Sequence, residues 1–173
     1  MSWRRILLMA TLAVSGASMA QAESHMQTVA TAQVEGMTDG ITGSVNLSST
    51  ASGRTLVQIE VRGVPAGTHA VHLHETGDCS GDDFKSAGGH IAGGKDHGVL
   101  VEGGPHPGDM PNMVVGDKGV MKEEVFLDMI DIDAMIKDKD GAAVIIHAGA
   151  DDYQSQPSGD AGSRIACGVF EVS

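Results

Sequence analysis

Two histidines that stand two residues apart are the first candidates for chemistry in this sequence. His72 and His74 alternate with Val71 and Leu73, so in a strand both imidazoles point to one face and the apolar pair to the other. Imidazole nitrogen is a ligand for borderline transition metals. A His-x-His pair also arises by chance in strands, so the spacing alone leaves both a metal site and a coincidence open.

A long glycine-rich segment, residues 76–119, adds three histidines and an aspartate. His106 and Asp109 form the turn His-Pro-Gly-Asp, which can place an imidazole and a carboxylate on one cation. With His90 and His97 they make up the donor set of a closed tetrahedral zinc site. These histidines could instead be exposed loop residues. The segment holds 12 of the 24 glycines, however, and metal ligation would explain how so long a connection is ordered.

His147 follows the apolar run 142–146, which is rich in β-branched residues and predicts a buried strand. A histidine in that position is more often part of the core, so its role depends on the side chains that it meets in space. Of the two remaining histidines, His69 is expected at the surface, and His25 lies close to the start of the mature chain.

The rest of the chain must supply the elements that hold these residues, and its periodicity is that of strands. A helical turn fits only within 128–138, and residues 151–163 predict a second, shorter loop. These patterns predict an all-β sandwich or barrel. Further strand candidates are 41–47, 57–62, 119–127 and 167–172, and the weakest of them is 119–127.

Residues 1–22 have the features of a secretory signal. Arg4 and Arg5 precede a short apolar stretch over 6–14, and Ala20-Gln21-Ala22 precedes the expected cleavage site. An N-terminal membrane anchor is the alternative, but the stretch is shorter than the roughly 20 residues that a span needs. Cleavage after Ala22 would leave a single domain, 23–173, exported to the periplasm.

The mature chain is strongly acidic. Loss of Arg4 and Arg5 leaves 9 Lys and Arg against 23 Asp and Glu, a formal charge of −14. This balance argues against nucleic acid and against anionic membranes as partners. The chain has two cysteines, and in an oxidising compartment such a pair predicts a disulfide.

Six runs of sequence share their order and separations with a known family. They are 69–79 (HAVHLHETGDC), 86–90 (SAGGH), 97–98 (HG), 104–112 (GPHPGDMPN), 145–148 (IIHA) and 162–169 (GSRIACGV). No single run is specific, but the ordered combination is. In this combination they resemble the copper–zinc superoxide dismutases of the bacterial periplasmic type, and the resemblance covers nearly all of residues 27–173.

The resemblance implies a Greek-key, immunoglobulin-like β-sandwich or flattened barrel with long metal-binding and active-site loops. This family is itself a standard example of that architecture. The resemblance also implies one copper and one zinc per chain, with His90 bridging them as an imidazolate. The copper ligands are then His72, His74, His90 and His147, and the zinc ligands are His90, His97, His106 and Asp109.

The same resemblance assigns roles around the metals. Asp151 would accept hydrogen bonds from His72 and His97, Cys79 would pair with Cys167, and Arg164 would lie beside copper. The implied reaction is the dismutation of superoxide, the substrate, to dioxygen and hydrogen peroxide, which is an antioxidant oxidoreductase activity. Arg164 would receive the anion, and His90 would supply a proton.

Two other functions compete with this one. A non-enzymatic periplasmic copper- and zinc-binding protein has no need of Arg164, and a structural domain that keeps only a zinc site has no need of His72, His74 and His147. Periplasmic members of the family occur as monomers and as dimers, so a homodimer stays open.

The sequence departs from the family at two places near the bridging position. Ile91-Ala92-Gly93 stand where an aromatic residue followed by Asn-Pro is frequent, and Val71 stands where Phe is common. Both changes remove bulk or rigidity beside His90, while every ligand position keeps its residue type.

Overall fold

A computed structural model of the chain describes residues 26–38 and 40–173, and the regular secondary structure within them is almost entirely β-strand. One short helix, α1 (Ile132–Met135), lies in the predicted 128–138 stretch, capped by the Asp131 side chain. The predicted signal, 1–22, and His25 lie outside the described residues. The strands are β1 (Gln27–Gly36), β2 (Thr42–Ser49), β3 (Thr55–Arg62), β4 (Gly67–His69), β5 (Val71–His74), β6 (Met113–Val115), β7 (Val120–Leu127), β8 (Ala143–His147) and β9 (Arg164–Val172).

Seven strands form one curled antiparallel sheet in the order β5-β8-β9-β1-β2-β3-β7, and β4 pairs with β6. The order departs from the chain order as a Greek key requires, because β7 lies beside β3 and β9 lies between β8 and β1. The all-β prediction is confirmed. No described helix is long and apolar enough to cross a bilayer.

Three strands, β1, β4 and β6, went unrecognised in the sequence because their apolar signal is weak. The buried face of β1 consists largely of Ala30, Ala32 and Val34, which are too small to stand out from the intervening Thr and Gln. Strand β6 lies inside the segment 76–119, which also contains a 3₁₀ turn, Asp82–Ala87. The expectation that this segment has no strand is therefore wrong.

Alternation along β5 and β8 separates the core from the side that carries the histidines. Val71 and Leu73 of β5 pack in the main core with Val144 and Ile146 of β8. The intervening residues face the other side of the sheet, where His72 pairs in register with Ile145. His147 has the parity of Ile145, so β5 and β8 present their histidines on one face. The predicted orientation of the His72–His74 pair is confirmed.

A β-bulge determines where Arg164 points. Ile146 pairs with Ala166, but His147 pairs with Arg164, so Ile165 is skipped in the register. Paired residues on neighbouring strands project to the same side of a sheet. The bulge therefore brings Arg164 to the face of His147, and bulges are known to redirect side chains beside active sites in this way.

The disulfide predicted from the two cysteines is present between Cys79 and Cys167, with Cα atoms 5.9 Å apart. It belongs to a small apolar cluster outside the main core, in which Ala87 and Phe84 of the 3₁₀ turn pack near Ile145. The crosslink ties the start of the segment 76–119 to β9.

Replacing Cys79 and Cys167 with serine should lower the free energy of unfolding by about 4–5 kcal/mol. The reason is that the crosslink spans 88 residues and restricts the unfolded chain, on the chain-entropy account. Urea unfolding of the metal-free protein measures the effect, and wild-type protein under reducing conditions should match the variant. Equal stability of the oxidised wild type and the variant would contradict this prediction.

Candidate metal centre

The segment 76–119 is held along the outer edge of β5 by backbone hydrogen bonds. Leu73 N–H donates to the carbonyl of Gly108 at 2.9 Å, and Ile91 N–H donates to the carbonyl of Leu73 at 2.9 Å. Isolated bridges then place His90 beside His74 and Asp109 beside His72. Leu73 and Gly108, which are 35 positions apart in the sequence, thus meet at the outer edge of β5.

Two residues explain how the segment can lie so close to β5. The side chain of Ile91 is only 5% exposed and enters the main core, so this residue anchors the segment where the family often has an aromatic side chain. Gly108 allows the close approach, because a Cβ atom there would lie 2.6 Å from the carbonyl oxygen of Leu73. The departure at residues 91–93 thus leaves the connection anchored.

Two overlapping groups of donor atoms in the described residues could each hold a metal ion, and in a third, His72, His97 and Asp151, the carboxylate is already hydrogen-bonded to both imidazoles. One imidazole, that of His90, belongs to both groups. Within each group the candidate donor atoms all lie within 4.8 Å of one another. The first consists of His72, His74, His90 and His147, and the second of His90, His97, His106 and Asp109.

The decisive feature of both groups is a set of ring nitrogen atoms that lack hydrogen-bond partners. These atoms are buried, and they have no hydrogen-bond partner in the described part of the chain. A buried polar atom without a partner costs about 1–3 kcal/mol, so each needs an explanation. The atoms are Nδ1 of His72, His97 and His106, and Nε2 of His74, His90 and His147.

In four of these imidazoles the opposite ring nitrogen is engaged by an oxygen atom that belongs to neither group. Nε2 of His72 and of His97 donate to the carboxylate of Asp151 at 2.8 and 3.0 Å. Nδ1 of His74 lies 3.0 Å from the carbonyl of Gly88, and Nδ1 of His147 lies 3.4 Å from that of Gly162. Since these oxygens only accept, the protons stay on the outer nitrogens and lone pairs face the centre of the site.

Burial keeps the imidazoles of His72, His74, His106 and His147 in the neutral form that binds metal. It lowers the pKa of His72 to about 4, that of His74 to about 2 and that of His147 to about 3. Burial also lowers the pKa of His106 below its ordinary value. Neutral imidazoles need lose no proton when they bind a cation at neutral pH.

Asp109 supplies the negative charge of the second group. Burial on its own would raise the pKa of this carboxyl, but hydrogen bonds from His90 and from the Gly98 N–H bring it below its ordinary value. Its oxygens accept a hydrogen bond from Nδ1 of His90 at 3.0 Å, and they approach Nδ1 of His97 to 3.1 Å and Nδ1 of His106 to 3.3 Å without the geometry of a hydrogen bond. Three imidazoles and one carboxylate converge here, which is a donor set suited to zinc.

Asp151 connects the two groups and is itself fixed in place. Its carboxylate accepts hydrogen bonds from His72 of the first group and His97 of the second, and Asp151 is nearly fully buried. The side-chain amide of Asn112 accepts from Asp151 N–H and donates to its carbonyl, each at 2.8 Å. Asn112 lies in one of the resembling runs, but no pattern in the sequence points to this contact.

Arg164 lies at the rim of the first group. Its guanidinium donates from Nη1 to the carbonyl of Phe84 and from Nη2 to the carbonyl of Gly88, both at 2.7 Å. The same Gly88 carbonyl accepts from His74, so one oxygen atom separates the guanidinium from that imidazole. Arg164 is half-buried and brings a positive charge to an otherwise acidic protein.

Comparison with known families matches residues 41–170 to the model described as copper/zinc superoxide dismutase (SODC). The chain belongs to the copper/zinc superoxide dismutase family. This membership agrees with the resemblance seen in the sequence. It makes the chain an oxidoreductase with copper and zinc as cofactors, and the unpartnered imidazole nitrogens are donors that suit both ions.

Relatives and solved structures support the same family. The chain is 42% identical to superoxide dismutase 2 [Cu-Zn] of Aquifex aeolicus, over 75% of this chain and 79% of that protein. It is 33% identical to the copper–zinc superoxide dismutase of Deinococcus radiodurans over 97% and 98% of the two chains. A SOD-like protein from Bacillus subtilis has a similar crystal structure, with a TM-score of 0.74 and 31% identity over 80% of this chain and 96% of that one.

His69 was expected at the surface, and that expectation is wrong. The residue is only 3% exposed. Its Nδ1 lies 2.8 Å from the carbonyl oxygen of His147 and its Nε2 lies 2.9 Å from that of Pro65. His69 thus ties the end of β8, which carries His147, to the start of β4. The sequence offers a signal only in that His69 has the strand parity of Val71 and Leu73, which face the core.

Replacing His69 with leucine should destabilise the metal-free protein by about 1–3 kcal/mol, because the buried carbonyl of His147 loses its donor. Chemical unfolding measures the change. The neighbouring exposed residue provides a control, since Thr68→Val should alter stability by no more than about 0.5 kcal/mol. A His69→Leu variant as stable as the Thr68→Val variant would show that the contact with His147 does not matter.

Proposed function

We propose that this protein catalyses the dismutation of superoxide to dioxygen and hydrogen peroxide at a copper–zinc site that is bridged by His90. The observation that carries the proposal is the set of unpartnered nitrogens, divided into two groups that share one imidazole. Nε2 of His90 faces the first group, and its Nδ1 faces Asp109 in the second. A ring with one nitrogen in each group is arranged to bind two ions at once.

The residues divide between the ions by donor type. Three imidazoles and the shared His90 would hold copper, namely His72, His74 and His147. His97, His106 and Asp109 would hold zinc with His90, because a carboxylate among imidazoles suits that ion. Copper, when bound, supplies the one-electron oxidation of one superoxide and the one-electron reduction of another, whereas zinc is redox-inert.

The chain itself contributes a positive charge for the substrate. We assign the binding of the superoxide anion to Arg164, whose guanidinium is oriented by the carbonyls of Phe84 and Gly88. Both bonds fix the plane of the guanidinium before substrate arrives, so little side-chain entropy remains to be lost on binding. The formal charge of −12 for the whole chain makes a local cation necessary for fast capture of an anion.

The chain also contributes a proton. Two protons are consumed when two superoxide ions become one dioxygen and one hydrogen peroxide. We assign delivery of one of them to Nε2 of His90, which has no competing acceptor in the described residues. The other nitrogen of the ring remains beside Asp109, so a proton at Nε2 leaves the ring in place.

Storage of copper and zinc without catalysis is the competing function, and one relative in the family is known as a SOD-like protein. A storage protein has no use for a guanidinium held at the rim of the first group. The paired carbonyl contacts of Arg164 therefore favour the enzyme.

We also propose that the protein is exported to the periplasm and loses residues 1–22 on the way. The disulfide between Cys79 and Cys167 and the bacterial relatives are consistent with an exported protein. Oligomeric state does not enter the proposed mechanism, since both groups of donors lie within one chain.

The charge of Arg164 provides the sharpest test of the enzyme against the storage protein. Arg164→Glu should lower kcat/KM for superoxide by at least about tenfold while copper and zinc contents stay at one each per chain. Electrostatic steering changes association rates by about 10–10³-fold, and this enzyme family is a standard example of the effect. Activity of the wild type should also fall as ionic strength rises, because salt screens the attraction.

Lys118→Glu is the matched control for this test. It makes the same change of two charge units at an exposed residue in the turn between β6 and β7. This variant should retain nearly full activity. Full activity of Arg164→Glu with both metals bound would contradict the role of Arg164, and wild-type protein with both metals but no activity would favour storage.

A further inference from the structure

Gln156 binds both backbone groups of His97. The N–H of His97 donates to Oε1 of Gln156 at 2.9 Å, and Nε2 of Gln156 donates to the carbonyl of His97 at 2.8 Å. The two residues are 59 positions apart in the sequence. Gln156 lies in the loop between β8 and β9, outside every run of sequence that resembles the family.

The amide of Gln156 takes the place of a neighbouring strand. A residue in a sheet has its N–H and C=O satisfied by an adjacent strand, but His97 lies in an irregular part of the segment 76–119. In the described part of the chain, no other hydrogen bond reaches either backbone group of His97. The N–H of His97 therefore depends on this one side chain, whereas the peptide unit that carries its carbonyl is also held by the N–H of Gly98, which donates to Asp109 at 3.1 Å.

The imidazole of His97 is held at its far end by the same loop. Its Nε2 donates to Asp151 at 3.0 Å, and its Nδ1 lies 3.1 Å from Asp109. The ring is fully buried, whereas Gln156 is exposed. With the ring anchored by Asp151 and the backbone anchored by Gln156, the direction of the Nδ1 lone pair is fixed. Without Gln156, the backbone of His97 is restrained only by the ring contact with Asp151 and by the bond from Gly98 N–H to Asp109.

We propose that Gln156 is a positioning residue for the zinc half of the site, and that its two bonds to His97 slow the release of zinc. The proposal rests on the assignment of His97 to zinc in the proposed function. Outer partners that orient metal ligands typically change metal affinity by about 10–100-fold when they are removed. Gln156 acts on the backbone rather than the ring, so the effect belongs at the lower end of that range.

The test compares zinc release from three variants and the wild type. Each zinc-loaded protein is mixed with excess colorimetric chelator, and the rate of transfer is followed. Gln156→Ala should release zinc about tenfold faster than wild type. Gln156→Glu keeps the acceptor for the N–H of His97 and loses the donor to the carbonyl of His97. The zinc release rate of this variant should therefore lie between the rates of wild type and Gln156→Ala.

Gln154→Ala is the matched control. Gln154 is an exposed residue of the same type in the same loop, and its side chain makes no hydrogen bond in the described residues. Its removal should leave the release rate unchanged. The visible absorption spectrum of the protein with Co²⁺ in place of zinc gives a second readout. That spectrum should change in Gln156→Ala and not in Gln154→Ala.

The outcomes separate this inference from the proposed function. If wild-type protein takes up no zinc, the assignment of His97, His106 and Asp109 is wrong. If wild type binds zinc but Gln156→Ala and Gln154→Ala release it equally fast, only the role of Gln156 is wrong. A lower melting temperature of metal-free Gln156→Ala, with an unchanged Co²⁺ spectrum, would also overturn it in favour of a general structural contact. If Gln156→Ala does not fold, a release rate of Gln156→Glu equal to wild type overturns the inference.

Discussion

In the part of the chain that the structure describes, six imidazole nitrogens are buried at one place without hydrogen-bond partners, and the fold is organised around that constraint. Left unsatisfied, each of them costs about 1–3 kcal/mol, so the fold must both tolerate the metal-free state and hold the atoms in position for metal. The core meets the first demand, because Val71, Leu73, Val144 and Ile146 pack on the opposite face of the strands that carry the histidines. Metal binding then supplies the missing partners.

The second demand is met by long connections that are tied to the sheet at few points. Leu73 bonds both ends of the segment that carries His90 and Asp109, and the disulfide ties the start of that segment to β9. The loop between β8 and β9 contributes Asp151, which holds one imidazole of each group. These bonds hold two irregular segments in place against the sheet. Arg164 is half-buried at the rim of the first group, where an anion can reach it.

The sequence predicted which residues form the site better than it predicted where their side chains lie in space. Alternation in β5 and β8 is a property of neighbouring residues, so the face occupied by His72 and His74 could be read directly from the chain. The bulge that turns Arg164 toward His147 depends on a register shift between two strands, which leaves no local pattern. The burial of His69 and the contacts of Asn112 and Gln156 join residues 39 to 78 positions apart, and polar residues in loops give no sign of such partners. Strand β1 was missed because alanine gives a weak apolar signal.

The central claim is that His90 binds two different ions, one through each ring nitrogen. A crystal structure of the metal-loaded protein, with anomalous data collected on both sides of the copper and zinc absorption edges, tests it directly. The account predicts copper beside Nδ1 of His72 and Nε2 of His74, His90 and His147. It predicts zinc beside Nδ1 of His90, His97 and His106 and the carboxylate of Asp109. A single ion, or two ions with His90 bound to only one of them, would contradict it.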